Sequence, residues 1–256
     1  MEAAELGRGL KARLGRVEPL VYGSLGSTNT ELARLAREGA PEYTAVVALE
    51  QTAGRGRAGR SFYSPAGAGV YFSLLLRPGF PAVRAAELIT PACAVAAAAA
   101  AERLTGEPAR IKWVNDVYLR GRKVCGILTE AEQGPGGALD WVIAGIGVNL
   151  TEPEGGYPEP LEGRAGALYE GAAPDGAALE LVSEVLGRLV GLYEQMPGCG
   201  FRDEYERRLL LTERPEGTPV GVDEAFRLRV RAPDGTLLSL EFPEPAPAGR
   251  NKKAPL

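Results

Sequence analysis

The chain has 256 residues, of which 45% are hydrophobic and 24% are charged, so it can bury a full-sized core. Its net charge of −4 argues against a general nucleic-acid-binding surface, because such surfaces are usually basic. It contains no histidine, which excludes a histidine base, a histidine metal ligand and a Ser-His-Asp triad.

The first predicted helix begins at Thr28. Thr28 and Glu31 have the spacing of a capping box, and apolar residues recur at helical spacing as far as Ala36. The glycine and proline at residues 39–41 then end the helix. Residues 27–29, which read Ser-Thr-Asn, therefore stand at a helix start.

Two strands are predicted on either side of a loop rich in glycine and arginine. Residues 43–50 indicate a buried strand that leads into the loop, and residues 70–76 indicate the strand that leaves it. A long alanine-rich helix follows over residues 85–104, with Pro91 inside it and Gly106 after it. The alanine run within this helix is too short for a membrane span and is flanked by charges, so it predicts a helix of a soluble protein.

The rest of the chain continues the alternation of strands and helices to about residue 212, and a small β region follows. Strands are predicted at 110–113, 117–119, 123–131 and 141–148, a surface excursion at 151–176, helices from Asp175 and at 201–211, a hairpin at 226–231 and 236–242, and a disordered tail at 243–256.

Cysteine usage and the N-terminus both indicate a cytoplasmic protein. Cys93, Cys125 and Cys199 are far apart and show no metal-binding spacing, which predicts reduced and mostly buried side chains. The N-terminus has no secretory signal, so we expect a cytoplasmic location.

Residues 54–60, the Gly/Arg loop, read Gly-Arg-Gly-Arg-Ala-Gly-Arg. Glycine lets a backbone approach a ligand closely, and arginine offers a planar fork of donors that matches phosphate or carboxylate. The loop fits the dinucleotide fingerprint and nearly fits a P-loop, but both motifs need a helix next, which Pro65, Gly67 and Gly69 exclude. The loop therefore predicts anion binding outside those two folds; a flexible solvated loop is the alternative.

Four segments together resemble the biotin protein ligases. They are Ser-Thr-Asn at 27–29, Glu-Gln-Thr-Ala-Gly-Arg-Gly-Arg-Ala-Gly-Arg at 50–60, Lys-Trp-Val-Asn-Asp-Val-Tyr-Leu-Arg-Gly-Arg-Lys-Val-Cys-Gly-Ile-Leu at 112–128, and Ala-Gly-Ile-Gly-Val-Asn-Leu at 144–150. Their order and spacing resemble this family over residues 27 to about 150. Val114 departs from the pattern, since the family usually has proline there.

The resemblance implies an α/β fold: a mixed sheet like that of class II aminoacyl-tRNA synthetases, then a small SH3-like β barrel. It implies a catalytic domain at 1–212 and a small C-terminal β domain with a disordered tail at 213–256. Such enzymes make biotinoyl-adenylate and pyrophosphate from biotin and ATP, then pass biotin to a lysine of the biotin carboxyl carrier domain of a carboxylase. Only 26 residues precede Ser27, too few for the operator-binding domain of some relatives, so the monofunctional form is expected. The resemblance admits a homodimer.

The resemblance also implies site residues. It implies biotin contacts for Ser27, Thr28, Asn29, Gln51, Arg55, Gly56, Arg57 and Lys123. It implies nucleotide contacts or support for Gly54, Arg57, Arg60, Phe62, Asn115, Lys123 and Asn149. Lys123, Arg57 and Asp116 are the catalytic candidates. No ligand residue is carried over from residues 213–256.

The chemistry of adenylation agrees with a cationic site. A carboxylate is ionised at neutral pH (unperturbed pKa about 4), so its attack on the α-phosphate needs no base but does need charge neutralisation and alignment. Mg²⁺ would bridge phosphate oxygens, with Asp116 as its candidate carboxylate, unless Asp116 only caps a turn after Asn115. The candidate cations are Arg55, Arg57, Lys112, Arg120, Arg122 and Lys123. For Lys112, Arg120 and Arg122 a solvated surface position is the favoured interpretation, because isolated lysine and arginine side chains are mostly exposed.

Two other functions are compatible with the sequence. A lipoate or octanoate ligase shares the fold, although its usual glycine-rich, histidine-containing signature is absent here. A non-catalytic sensor of biotin or nucleotide is the alternative outside the enzymes, and Lys123 with Asp116 argues against it.

Overall fold

The computed structural model describes residues 2–134, 138–212 and 214–241, together with the backbone of residues 246–247. A mixed β-sheet forms the centre of the fold. Its first seven strands are β1 (Glu18–Tyr22), β2 (Thr44–Ala48), β3 (Gly69–Leu76), β4 (Arg110–Lys112), β5 (Asp116–Leu119), β6 (Arg122–Gln133) and β7 (Leu139–Asn149).

The order of these strands is β1-β2-β3-β7-β6-β5-β4, and a short β11 (Ala246–Pro247) also pairs with β6. β1 is parallel to β2 and β11 is parallel to β6, whereas the other neighbours are antiparallel. This arrangement confirms the predicted mixed α/β sheet. β6 and β7 lie in its middle and contribute residues to the site described below.

Helices cover both faces of the sheet. The helices of the described residues are α1 (Ala3–Arg13), α2 (Thr28–Arg37), α3 (Ala82–Thr105), α4 (Ala177–Tyr193) and α5 (Arg202–Arg208). α2 covers one face, where Leu32 packs with Val46 and Leu75. α1, α3 and α4 share the larger cluster on the other face, which includes Val47 and Leu74. Neighbouring strand residues reach opposite clusters because side chains alternate across a strand.

α3 is the central helix of the larger cluster. It begins three residues earlier than the predicted helix, contains Pro91, and ends at the left-handed Gly106 (φ 73°), as its sequence predicts. Among the described residues it alone is long and apolar enough to cross a membrane, yet 67% of its most apolar stretch is buried inside the protein. α3 packs against α4 and the sheet, which is the environment of a core helix.

The cysteines lead to a prediction about thiol reactivity. Cys93 in α3 and Cys125 in β6 are buried, whereas Cys199 is partly exposed. Burial raises the pKa of the Cys93 thiol, and it raises the pKa of Cys125 to about 12. Because the thiolate is the reactive form, we expect Ellman's reagent at pH 8 to modify Cys199 alone in the folded protein and all three cysteines after unfolding. Cys199→Ser should abolish the native reaction; rapid native labelling that persists in this variant would contradict the prediction.

The N-terminal elements were not predicted. α1 buries Leu6 and Leu10, which with Leu14 recur at helical spacing, and β1 is a short edge strand that pairs only with β2. α2 begins at Thr28 as expected, but the capping box is wrong: Ser27 is the N-cap and makes no side-chain cap bond. The Glu31 carboxylate instead accepts from Arg34 at 2.7 Å, because a partner one turn away competes with the cap.

A small antiparallel sheet follows the helices. It consists of β8 (Thr218–Val222), β9 (Leu228–Arg231) and β10 (Leu237–Leu240). β9 and β10 confirm the predicted hairpin, whereas β8 was not predicted. Phe226 stacks on Phe201, with ring centroids 5.1 Å apart, and meets Tyr205 edge to face at 5.2 Å, so this sheet shares a core with the larger region. The domain boundary at 212/213 stays a prediction, and the predicted disordered tail lies outside the described residues apart from the backbone of 246–247.

Candidate functional site

A cavity of about 350 Å³ opens above the middle of the sheet. Its walls come from the start of α2, the Gly/Arg loop, β5, β6, β7 and the excursion after β7. It brings together the site residues that the family resemblance implies, apart from Gly54, namely Ser27, Thr28, Asn29, Gln51, Arg55, Gly56, Arg57, Arg60, Phe62, Asn115, Asp116, Lys123 and Asn149.

Gly54, the first residue of the Gly/Arg loop, does not line the cavity. Its carbonyl accepts a hydrogen bond from the Phe62 amide at 2.9 Å, and the Gly56 amide donates to the Arg60 carbonyl at 2.7 Å. These two bonds close the loop into a small hairpin whose tip is a 3₁₀ turn over Arg57–Gly59. The next helix or strand is β3, so no helix follows the loop, which agrees with the rejection of the dinucleotide and P-loop motifs.

The floor of the cavity is a buried hydrogen-bond network. Gln51 Oε1 accepts from the Thr28 amide at 2.8 Å and lies 3.1 Å from the Thr28 hydroxyl. The Ser73 hydroxyl donates to Asn29 Oδ1 at 2.6 Å and lies 2.8 Å from the Thr28 hydroxyl. Ser73 was not predicted as a site residue. Because buried polar groups with satisfied partners hold one geometry, the floor presents uncharged polar atoms in fixed positions.

Phe62 lines the cavity because two glycines admit its ring. A Cβ built on Gly126 of β6 or on Gly147 of β7 would lie 2.7 Å from the ring of Phe62. Lys123 Nζ lies 5.9 Å from the centroid of the same ring. The absence of a side chain at two adjacent strand positions therefore places a flat aromatic face beside a cation.

Lys123 and Arg57 are the principal cations at the cavity. Lys123 Nζ pairs with Asp116 Oδ1 at 2.7 Å. Arg57 donates to Asn115 Oδ1 at 3.0 Å, and Asn115 in turn donates to the Ile127 carbonyl at 2.9 Å. Partial burial lowers the pKa of the Arg57 guanidinium, and the Asp116 charge opposes that shift. Arg57 stays cationic at neutral pH, so a partly desolvated charge faces the cavity.

The other candidate cations differ in position. Lys112 lines the cavity, with Nζ 5.7 Å from the centroid of the Tyr118 ring. Arg55 lines it too, but its guanidinium pairs with the buried Glu130 at 2.8 Å. Arg120 and Arg122 do not reach it and line a separate groove beyond the turn from β5 to β6. Both arginines are exposed, which agrees with the solvated surface positions that the sequence favours for them.

One wall of the cavity was missed from the sequence. Tyr157, Leu161 and Arg164, all in the excursion after β7, line the cavity. The Lys123 amide donates to the Arg164 carbonyl at 3.0 Å, and the Gly166 amide donates to the Lys123 carbonyl at 2.9 Å, so the excursion is attached to β6. Burial raises the pKa of Tyr157 to about 12, which keeps its phenol neutral. No motif marked this glycine- and proline-rich segment as part of a site.

Asp116 is the carboxylate placed to help hold a metal ion. Within the described residues there is no cluster of three or more histidine, cysteine, aspartate or glutamate side chains. One carboxylate beside a cavity lined by several cations nevertheless fits Mg²⁺ carried by a phosphate ligand, because Mg²⁺ usually takes one or two carboxylates and completes its shell with phosphate oxygens and water. The residues present therefore fit a metal that arrives with a nucleotide.

Comparisons with known proteins identify the family. The sequence model of the biotin/lipoate A/B protein ligase family matches residues 22–149. The chain is 38% identical to the bifunctional ligase/repressor BirA of Bacillus subtilis over 172 residues, which cover 67% of this chain and 52% of that protein. It is 45% identical to a biotin–[acetyl-CoA-carboxylase] ligase of Paracoccus denitrificans over 152 residues, which cover 58% of this chain and 57% of that protein. The matches thus span about half the length of these two curated relatives.

Among solved structures, the fold is similar to that of the biotin protein ligase from Aquifex aeolicus in complex with biotin and ATP. The TM-score is 0.68 at 30% identity, and the match covers 85% of this chain and 93% of the other. Residues 22–149, which the family model matches, contain β2 to β7, the Gly/Arg loop and most of the cavity walls. The chain therefore belongs to the biotin/lipoate A/B protein ligase family.

Proposed function

We propose that this chain is an ATP-dependent biotin–protein ligase. It makes biotinoyl-adenylate from biotin and ATP, then transfers biotin to a lysine of a biotin carboxyl carrier domain. The observation that carries the proposal is one cavity whose walls include both the uncharged polar floor and the cations Arg57 and Lys123. The names of the relatives from Paracoccus denitrificans and Aquifex aeolicus support biotin over lipoate as the acyl substrate.

The two ends of the cavity suit the two substrates. Ser27, Thr28, Asn29 and Gln51 offer neutral hydrogen-bonding groups, which match the uncharged ring system of biotin. Phe62 offers a flat face, and Arg57 and Lys123 offer positive charge, which match a nucleotide base and its phosphates. Gly56, Arg60 and Asn149 complete the wall between them, and Gly54 supports the loop.

In the first step a biotin carboxylate oxygen attacks the α-phosphorus of ATP. A bond forms between that oxygen and phosphorus, and the bond to the bridging oxygen of pyrophosphate breaks. Arg57 and Lys123 stabilise the charge that develops on the phosphate oxygens. Mg²⁺, when bound, would neutralise the phosphates, and Asp116 is the residue that would help to hold it. In the second step the carrier lysine amine attacks the acyl carbon, and AMP leaves.

Pyrophosphate exchange tests the proposal. Purified protein should exchange labelled pyrophosphate into ATP when biotin and Mg²⁺ are present, and not when lipoate or octanoate replaces biotin. Exchange driven equally by lipoate would support the acyl-ligase alternative instead. Biotin binding without any exchange would indicate a non-catalytic sensor of biotin.

We also propose that the enzyme is cytoplasmic and forms a homodimer. Sedimentation of the purified protein tests the dimer separately.

Asp116→Asn tests the proposed metal contact. The variant keeps the size of the side chain but removes the charge that pairs with Lys123 at 2.7 Å. We expect a higher Mg²⁺ requirement for exchange or a slower transfer to the carrier lysine, with little change in biotin affinity, because the floor of the cavity is untouched. A Mg²⁺ titration of exchange, with a single-turnover transfer assay, provides the measurement. If the Mg²⁺ requirement and the transfer rate of the variant equal those of the wild type, Asp116 only caps the turn after Asn115.

Arg57→Gly tests the Gly/Arg loop as a lid. Biotinoyl-adenylate is a reactive mixed anhydride, so a closed loop protects it from water and stray amines. We expect the variant to make adenylate but release it, and to label nearby lysines without selectivity. In the wild type, trypsin should cut at Arg55, Arg57 or Arg60 rapidly without ligand and slowly with biotin plus ATP. Absence of protection, or an Arg57→Gly variant that retains its intermediate, would exclude a lid.

A further inference from the structure

Glu130 is a buried carboxylate directly beneath the cavity. It lies in β6, its residue is 2% exposed, and it does not itself line the cavity. Glutamate is rarely fully buried unless its charge is paired, because desolvation of a carboxylate is costly. The proposed mechanism does not use Glu130, so its burial at this position calls for another role.

Both carboxylate oxygens of Glu130 hold residues that line the cavity. Arg55 approaches with both terminal nitrogens, NH2 at 2.8 Å from Oε1 and NH1 at 2.9 Å from Oε2. The Asn29 amide donates to Oε2 at 2.9 Å and to the Leu128 carbonyl at 3.1 Å. One side chain therefore ties the Gly/Arg loop to the start of α2, two elements that are distant in the sequence.

Glu130 also determines the orientation of the floor. Because the carboxylate and the Leu128 carbonyl accept the two amide protons of Asn29, the Asn29 carbonyl oxygen faces Ser73 and accepts its hydroxyl proton at 2.6 Å. The Ser73 oxygen lies 2.8 Å from the Thr28 hydroxyl. The direction of the Ser73 hydroxyl therefore influences the hydrogen bonds of Thr28, the next residue of the floor. The donor and acceptor pattern of the floor thus begins at Glu130.

The same ion pair balances the positive charge of Arg55 with the negative charge of Glu130. Both terminal nitrogens of Arg55 face the Glu130 carboxylate. Neutralisation of Arg55 makes the polar end of the cavity suitable for an uncharged ligand group.

We propose that Glu130 is a positioning residue for biotin, which holds Arg55 and Asn29 in the arrangement that the uncharged ring system requires. This inference rests on the proposed function. Glu130 acts on biotin through Arg55 and Asn29. Arg57 bonds to Asn115 and Lys123 pairs with Asp116, so we expect Glu130 to have no role toward ATP. The two substrates should therefore respond differently to its replacement.

Glu130→Gln tests the inference in the full chain. Glutamine keeps the size of the side chain but replaces an acceptor oxygen with an amide that opposes the donors of Arg55 and Asn29. Calorimetry should show a biotin Kd raised roughly 10- to 100-fold, as expected for a lost charge-assisted hydrogen bond, and an ATP–Mg²⁺ Kd near that of the wild type. Glu132→Gln is the matched control, because Glu132 lies two residues along β6 and pairs with Arg37 outside the cavity. This control should bind both substrates normally.

A double variant tests whether Glu130 acts through Arg55. Arg55→Met leaves the Glu130 carboxylate buried without its cation, so the Tm should fall, and the combination of Arg55→Met with Glu130→Gln should recover most of that loss. Biotin affinity of the double variant should equal that of Arg55→Met alone. The double variant also keeps the test available if Glu130→Gln is unstable by itself.

The outcomes separate the two proposals. Normal biotin affinity in Glu130→Gln, or an equal loss of biotin and ATP affinity, would overturn the positioning role. A further loss of biotin affinity in the double variant, relative to Arg55→Met, would show that Glu130 does not act through Arg55 and would overturn that part of the inference. A wild-type protein that binds no biotin would overturn the proposed function and the biotin role together.

Discussion

Replacement of Lys123 by alanine is expected to slow biotin-dependent pyrophosphate exchange by roughly 30- to 1000-fold, or about 2–4 kcal/mol in the activation free energy. Lys123 Nζ lines the cavity beside Asp116 and the Phe62 ring, where it contacts phosphate oxygens in the proposed mechanism. Its charge matters most in the transition state, because negative charge shifts onto the phosphates as the oxygen–phosphorus bond forms. The loss should therefore appear in kcat more than in the Kd for biotin.

The fold should tolerate this change. The two hydrogen bonds that attach Lys123 to Arg164 and Gly166 are made by its backbone, so alanine retains them. Arg122→Ala is the matched control, since Arg122 is the adjacent cation but lines the separate groove. We expect this control to keep its exchange rate. Unchanged exchange in Lys123→Ala, with normal circular dichroism and Tm, would refute the catalytic assignment.

Gly145→Ala is expected to weaken biotin binding strongly and to destabilise the fold. Gly145 lies in β7 opposite Ser73 and Leu128, and a Cβ built on it would lie 2.1 Å from Asn29 Oδ1. Asn29 is buried and its oxygen and nitrogen are bound to Ser73, Leu128 and Glu130. It cannot move aside without breaking these bonds. Overpacking of a buried site typically costs about 1–3 kcal/mol of unfolding free energy.

Gly187→Ala provides the comparison for Gly145→Ala. Gly187 lies inside α4, and a Cβ built on it meets no atom within 4 Å. Alanine is favoured over glycine in a helix by about 0.5–1 kcal/mol, so this variant should melt slightly higher and bind biotin normally. Chemical denaturation and calorimetry measure both effects. A Gly145→Ala variant as stable and as tight a biotin binder as the wild type would show that Asn29 does not depend on this close approach.

The local sequence predicts the core strands and the long helix because their signals are local. The apolar stretches at 43–50 and 70–76 become β2 and β3, and the alanine-rich segment becomes α3. The predicted capping box fails for a tertiary reason, since the Thr28 hydroxyl joins Ser73 and Gln51 beneath the cavity. β1 is a short strand whose partner β2 lies beyond α2 in the chain, and no local pattern encodes that pairing.

By itself the sequence determined which side chains are available for chemistry: the three arginines of the Gly/Arg loop, the Ser-Thr-Asn helix start, Asn115-Asp116 and Lys123, and all of these line one cavity. Only the tertiary structure decided which buried groups these side chains pair with, and therefore which charges face a ligand. Glu130 and Ser73 lie within apolar strands without any motif, yet they pair with Arg55 and Asn29, while Arg120 and Arg122 turn away into another groove. The physical reason is that the electrostatic environment of a side chain depends on what is buried within a few ångströms of it, and those neighbours come from distant parts of the chain.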